Sequence, residues 1–363
     1  MAAHIAENER NGEKQMQTEV HGGDIYTRPY RIDFSANINP LGTPPAVLEA
    51  ACRGVSRAAD YPDIHCRKLR QAISRREEVP AEQIICGNGA AELIFALVQA
   101  VKPRRALLAA PGFAEYEQAL GILGDGCRTE FYLCRKEQGF RLEEDYLDRI
   151  GEELDLIFLC NPNNPTGLLI DPNLLERIVK KCRDCGVLLV LDECFNGLLP
   201  DGETHSMKKR LDGTPNLFLL KAFTKLYAMA GLRLGYGLCS DEKLLEKMHR
   251  VMQPWNVSIP AQEAGPAAME EREFEQKSRE YVARELSFLK EEFGRLGLAF
   301  YDSKANYLFF EGPEDLYDRC GEEGILIRDC SNYRGLGPGY FRVAVKRHEE
   351  NKELIRVLKK CLG

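Results

Sequence analysis

The sequence predicts an α/β protein built on a mostly parallel sheet with helices over its faces, followed by a smaller α+β unit. Two observations carry this. Short, continuous apolar runs alternate with helical segments through the middle of the chain, at Ala106–Ala110, Leu156–Cys160, Val187–Asp192, Leu217–Leu220 and Leu234–Cys239. A run that is apolar at every position, not at every second one, is buried on both faces, which is the pattern of parallel strands. After about residue 250 the pattern changes. A long charged helix is expected over Glu270–Leu296, then strands at Tyr307–Phe310, Ile325–Arg328 and Phe341–Val345, and a last amphipathic helix over Glu349–Lys360.

The remaining elements follow in order. Residues 1 to about 34 read as a loosely structured arm. Ser35-Ala36-Asn37-Ile38-Asn39-Pro40-Leu41-Gly42 reads as loop, because Asn, Pro and Gly punctuate it. Pro44-Pro45 opens a helix through Ala50, a second helix is expected over Cys66–Arg76, and Leu174–Cys185 supplies a helix between two strands. The expected organisation is an arm over 1–40, a large unit over 41–255, and a connecting helix with a small C-terminal unit over 256–363.

A chain of 363 residues with 44% hydrophobic and 29% charged positions has enough apolar material for a core of useful size. A net charge of -7 gives no broad footprint for nucleic acid. The pair Lys208 and Lys209 is expected to face solvent. No run of about 20 apolar residues is present to cross a bilayer, and Met1–Met16 lacks the apolar centre of an export signal. A cytoplasmic location is the expectation, and thirteen scattered cysteines fit reduced thiols. Cys182 and Cys185 form a single CxxC without the further ligands that a zinc site needs, so they read as small hydrophobes near a helix end and no metal is expected.

In parallel sheets, ligands gather at the carboxyl ends of the strands. Here Leu156–Cys160 runs into Asn161-Pro162-Asn163-Asn164-Pro165-Thr166-Gly167. Val187–Leu191 ends in Asp192-Glu193, and Leu217–Leu220 leads to Thr224-Lys225 and then Ala230-Gly231-Leu232-Arg233-Leu234-Gly235-Tyr236. Each of these has an ordinary reading: Asp192 as a helix cap, the Asn-Pro stretch as a rigid turn, Lys225 as a surface lysine, Gly87-Asn88-Gly89 as a plain turn. Together they describe a site for an aromatic aldehyde carrying a phosphate. A protonated ring nitrogen wants the Asp192 carboxylate, and a phenolate oxygen wants a donor such as the Asn164 amide. A phosphate wants the Arg233 guanidinium and the amides of the turn near Gly89. A lysine amine can bind the aldehyde covalently.

On these motifs the chain resembles, over nearly its whole length, the aspartate-aminotransferase-type family of pyridoxal-phosphate enzymes. The resemblance implies the three-layer α/β/α fold of that family and pyridoxal 5'-phosphate as cofactor. By position it implies Lys225 as the Schiff-base lysine, Asp192 on the pyridine nitrogen and Asn164 on the ring hydroxyl. Phe113 would stack on the ring, while Arg233, Thr224 and the amides of Ala90 and Ala91 would hold the phosphate. It also implies a homodimer with shared sites, in which Tyr61 reaches the neighbouring subunit's cofactor. Arg342 would clamp the substrate carboxylate, with Asn37 and Asn164 also in the substrate site. Two positions depart from the family pattern: Ala222 stands where a hydroxyl often helps the phosphate, a gap Lys221 or a water could fill, and Phe195 stands where a Tyr often bonds the ring oxygen.

Two branches of the family fit, the histidinol-phosphate aminotransferases and the threonine-phosphate decarboxylases of cobalamin synthesis. His21-Gly22-Gly23, Asp33 to Gly42, Asp192-Glu193-Cys194-Phe195, Pro254 to Ser258 and Arg328 to Leu336 resemble the second. Both branches handle a small phosphorylated amine, for whose phosphate Arg328, His21, Arg334 and Arg31 are the expected partners in that order. A catalytically inactive, ligand-binding homologue is the third reading, against which the intact Lys225, Asp192, Asn164 and Arg233 speak. The same residues serve decarboxylation and amino transfer, so the motifs do not choose between them.

Overall fold

In the computed structural model, residues 21–27 and 30–363 are described, with the side chain of residue 203 excepted. Most of the arm expected over residues 1 to about 34 therefore lies outside the described residues. The part within them ends in β1 (Ile32–Asp33).

The large sheet has seven strands: β2 (Ile84–Gly87), β3 (Arg105–Ala110), β4 (Arg128–Leu133), β5 (Leu156–Cys160), β6 (Leu188–Asp192), β7 (Leu217–Ala222) and β8 (Gly235–Leu238), in the spatial order β2-β8-β7-β6-β5-β3-β4. β8 alone runs against the others. All five residues of β5 and of β6 are buried. Alternate residues serve opposite faces: Ile157, Leu159, Leu189, Leu191, Leu217 and Leu219 pack into one core layer, and Phe158, Val190, Phe218 and Leu220 into the other. Each such side chain contributes about 1.5–3 kcal/mol by leaving water, and so register is strongly specified. That register sets Cys160 beside Asp192 and Asp192 beside Leu220. The carboxyl ends of β5, β6 and β7 consequently form one edge. β2 points the same way and hands the chain to the helix Ala90–Val101 at that edge.

The second unit is a three-stranded antiparallel sheet of β9 (Tyr307–Glu311), β11 (Arg328–Asp329) and β12 (Tyr340–Ala344), ordered β11-β12-β9. Beside it, β10 (Ile325–Leu326) pairs in parallel with β1. Phe34 is buried in the core of this unit with Phe293, Phe310, Phe341 and Leu358. The N-terminal segment is thereby stitched to the C-terminal part of the chain.

Two helices, Ile259–Glu270 and Arg272–Arg295, adjoin at Glu271, and the second is the one expected over Glu270–Leu296. The first packs on the helices Pro45–Val55 and Arg67–Glu77, and the second on β9 and the helix His348–Leu362, so the chain must change direction between them. Two expectations need correction. Ile325–Arg328 is not one strand, because β10 and β11 pair with different partners. Lys208 is not a solvent residue: its side chain is 14% exposed and its Nζ lies 3.3 Å from Glu77, whereas Lys209 is exposed. All thirteen cysteines are free thiols, and Cys182 is fully buried at the end of the helix Pro172–Cys185.

Candidate active site

The edge formed by the strand ends opens into a cavity of about 860 Å³. Its walls include Phe113, Asn164, Asp192, Thr224, Lys225 and Arg233 from the large unit, and Arg328, Arg334 and Arg342 from the small one. His21, Ser35 and Asn37 close it from the N-terminal segment. Residues far apart in the sequence thus meet around one volume.

Asp192 is buried at the end of β6. Its Oδ2 accepts a hydrogen bond from the Tyr116 hydroxyl at 2.7 Å, and its Oδ1 accepts from the Cys194 amide at 2.9 Å. Burial pushes its carboxyl above the ordinary range, while those two donors and the Lys225 charge oppose the shift. Tyr116 is held by stacking on Phe158 at 4.8 Å. Burial and the Asp192 charge drive its own pKa well up, which keeps it a donor.

Lys225 follows β7, and its Nζ lies 5.5 Å over the Phe195 ring. Among the described residues it forms no ion pair. Burial, reinforced by the positive charge of Arg342, lowers it to about 8. A lysine in that condition is a usable nucleophile near neutral pH. Phe195 fills its place in an aromatic contact with Tyr307, 5.1 Å away.

The helix Ala90–Val101 starts at Gly89 with no side chain capping its first amides. Gly89 has φ +83°, and a Cβ there would stand 2.6 Å from Nη2 of Arg233. The missing side chain lets a guanidinium reach an uncapped helix N-terminus, a combination that suits a phosphate. Lys221 does not fill the gap left at Ala222. Strand alternation turns it to the other face, where its Nζ lies 3.0 Å from both Glu77 oxygens and Tyr236 also bonds Glu77. Burial alone would raise the Glu77 carboxyl, but the Lys221 and Lys208 charges and the Tyr236 hydroxyl hold it at about 2.

Arg342 and Arg328 are each 5% exposed and stand directly opposite one another in the β11–β12 register. Arg342 donates to the Asn164 amide oxygen and to the Ser35 carbonyl at 3.0 Å; with the Asn37 amide turned so that its oxygen faces the guanidinium, Nη1 and Nε donate to it at 3.2 and 3.3 Å. Arg328 donates to Asn332 at 2.9 Å. His21 is 51% exposed at the mouth, its Nδ1 3.7 Å from Glu115. Arg334 pairs with Glu117 and lies 4.0 Å over the Phe131 ring, at the rim.

One expected residue does not meet here. Arg31 donates to the Glu323 carbonyl at 2.7 Å and to Glu353 at 2.9 Å, away from the cavity. Tyr61, expected to serve the neighbouring subunit's site, is 77% exposed, its ring tilted against Trp255 at 4.6 Å, outside this chain's cavity. Tyr116 and Glu115 are among the lining residues that were missed. Tyr116 lies in the first turn of the helix that begins after Phe113, its ring 5.5 Å from that of Phe113. Glu115 gave no sequence signal.

A pyridoxal phosphate fits these residues. Among the described residues there is an amine without an ion-pair partner, a buried carboxylate at the neighbouring strand end, and an uncapped helix start beside Arg233. Known proteins agree. The model of the family "Aminotransferase class I and II" matches residues 30–358, and the chain belongs to that family. It is 38% identical over 355 residues to the threonine-phosphate decarboxylase of Salmonella typhimurium, covering 94% of this chain and 96% of that one. It is 32% identical to the histidinol-phosphate aminotransferase of Nitratidesulfovibrio vulgaris, covering 91% and 88%. Among solved structures, the histidinol-phosphate aminotransferase of Clostridium acetobutylicum superposes with a TM-score of 0.84 at 27% identity, covering 91% of this chain and 98% of that one. The fold is that of aspartate aminotransferase, and the cofactor is pyridoxal 5'-phosphate.

Proposed function

We propose that this chain is a pyridoxal-phosphate-dependent carboxy-lyase that releases CO2 from L-threonine O-3-phosphate and leaves (R)-1-amino-2-propanol phosphate, an amine used in cobalamin synthesis. The observation that carries this is the pair Arg328 and Arg342, buried and face to face across two strands. Like charges so placed repel, and the arrangement suits a ligand with two anionic ends. L-threonine O-3-phosphate offers a carboxylate and a phosphate on adjacent carbons. The relative in Salmonella typhimurium, by its name, supports the same reading.

In this reading Lys225 binds the cofactor aldehyde, Asp192 faces the ring nitrogen, Asn164 the ring hydroxyl and Phe113 the ring. Arg233, Thr224 and the amides at Gly89, Ala90 and Ala91 hold the phosphate, and Tyr61 serves the neighbouring subunit of a homodimer. The cofactor, when bound, supplies an electron sink for the bond broken at Cα. Arg342, oriented by Asn37, Asn164 and Ser35, holds the substrate carboxylate. Arg328 and His21 hold the phosphoryl end, with Arg334 at the rim. Together they fix which bond at Cα is presented for cleavage. With its proton affinity lowered to about 8, Lys225 can release and return a proton near neutral pH. The division into an arm over 1–40, a large unit over 41–255 and a small unit over 256–363 belongs to the same proposal, as does a cytoplasmic location, which the free thiols support.

Amino transfer is the second reading, favoured by the likeness to histidinol-phosphate aminotransferases. Histidinol phosphate has one anionic end, although a dicarboxylic keto acid would again bring two. Incubation with carboxyl-labelled L-threonine O-3-phosphate should release labelled CO2 without any keto acid. Parallel incubation of histidinol phosphate with 2-oxoglutarate should form no glutamate. Glutamate formation without CO2 would reverse the assignment.

A further inference from the structure

Glu115 has no role in the site as so far described, yet it stands inside it. It lies in the first turn of the helix Ala114–Gly121, with its side chain 16% exposed. Its Oε2 is buried and has no hydrogen-bond partner. His21 of the N-terminal segment faces it at 3.7 Å, measured from Oε1. The other charges that act on it are Lys225 after β7, Arg328 on β11 and Asp192 at the end of β6. His21 and Arg328 are the groups assigned to the substrate's phosphoryl end. An ionised carboxylate beside them would repel a dianion, whereas a carboxylic acid would give it a hydrogen bond.

We propose that Glu115 is a specificity-determining residue that takes up a proton from solvent when the phosphoryl end of the substrate docks, and then donates a hydrogen bond to it. This rests on the reading that the substrate is phosphorylated, and holds for decarboxylation and amino transfer alike. Burial raises the Glu115 carboxyl to about 7 before any ligand arrives, countered by its own backbone amide and by Lys225, and reinforced by Asp192. At pH 8 the free site is therefore mostly ionised, and docking must add close to one proton. A phosphate monoester is already dianionic there, so the proton must go to the protein.

The test uses holoenzyme and two amines without a carboxylate, phosphoethanolamine and ethanolamine. Calorimetric titration at pH 8, in buffers of differing ionisation enthalpy, counts the protons taken up on binding. With phosphoethanolamine the native protein should take up close to one proton more than Glu115→Gln, and with ethanolamine the two should agree. Between pH 7.5 and 8.5, phosphoethanolamine affinity should fall about eightfold further in the native protein than in Glu115→Gln, since that variant keeps a donor and has nothing to titrate. The amines titrate alike in both experiments. Glu115→Ala, which lacks the donor, should bind phosphoethanolamine more weakly than Glu115→Gln without regaining the proton. A preference for the phosphorylated amine with identical proton uptake in native protein and Glu115→Gln would overturn this inference alone. So would an equal loss of both amines in Glu115→Gln, which would make Glu115 a partner of the amine. Equal affinity of native protein for the two amines would overturn the phosphorylated-substrate reading, and this inference with it.

Discussion

The two walls of the cavity are built by different rules. The large-unit wall is a row of strand ends: Asn164, Asp192 and Lys225 each follow a fully apolar run whose burial fixes the register. The small-unit wall is a cross-strand pair, Arg328 opposite Arg342, with the N-terminal segment laid over it through Ser35 and Asn37. On the first wall the Asp192 charge acts on Lys225, and Arg233 stands at an uncapped helix start. On the second, two buried arginines stand opposite one another in the strand register. The first wall is arranged to keep something in place, and the second to wait for anions. Cofactor chemistry and substrate choice are thereby given to separate parts of the chain.

The largest effect should come from the first wall. Lys225→Ala should fold and abolish turnover, and steady-state activity in that variant without an added amine would break the assignment. Asp192→Ala removes a buried, charge-assisted hydrogen bond, which should lower kcat by on the order of a hundredfold. Cofactor binding should survive in that variant, because Arg233 and the helix start are untouched. An unchanged kcat would show that Asp192 only shapes the strand end. A smaller effect concerns pH. Only the neutral amine of Lys225 attacks an aldehyde, and that amine sits at about 8 in the free protein. Capture of pyridoxal phosphate by cofactor-free protein, followed by absorbance, should speed up with rising pH to a plateau above about 8. A rate flat from pH 6 to 9 would contradict the burial of that lysine.

The same contrast decides what was legible in the sequence. The large-unit wall was legible because continuous apolar runs announce buried strands, and whatever polar residue ends such a run has to stand at the sheet edge. The small-unit wall was legible only residue by residue. Arg328 and Arg342 were picked out by resemblance, but their pairing depends on how the irregular stretch between Cys330 and Gly339 turns the chain, which no periodicity encodes. Lys221 and Lys208 were misread for a related reason. Their partner Glu77 lies on a distant helix, and nothing local shows that a lysine beside an apolar run points to a buried acid. Glu115 was silent because its meaning comes wholly from His21 and Arg328, remote in sequence.

The separation of the two walls is tested most directly by Arg328→Met, compared on L-threonine O-3-phosphate and on L-threonine. Removing one member of a buried charge contact costs about 2–5 kcal/mol. For the phosphorylated substrate, kcat/KM should therefore fall by on the order of a hundredfold or more. The value for L-threonine and the absorbance of the bound cofactor should stay close to those of the native protein. An equal loss for both substrates, or a loss of cofactor, would contradict the assignment of substrate choice to this wall.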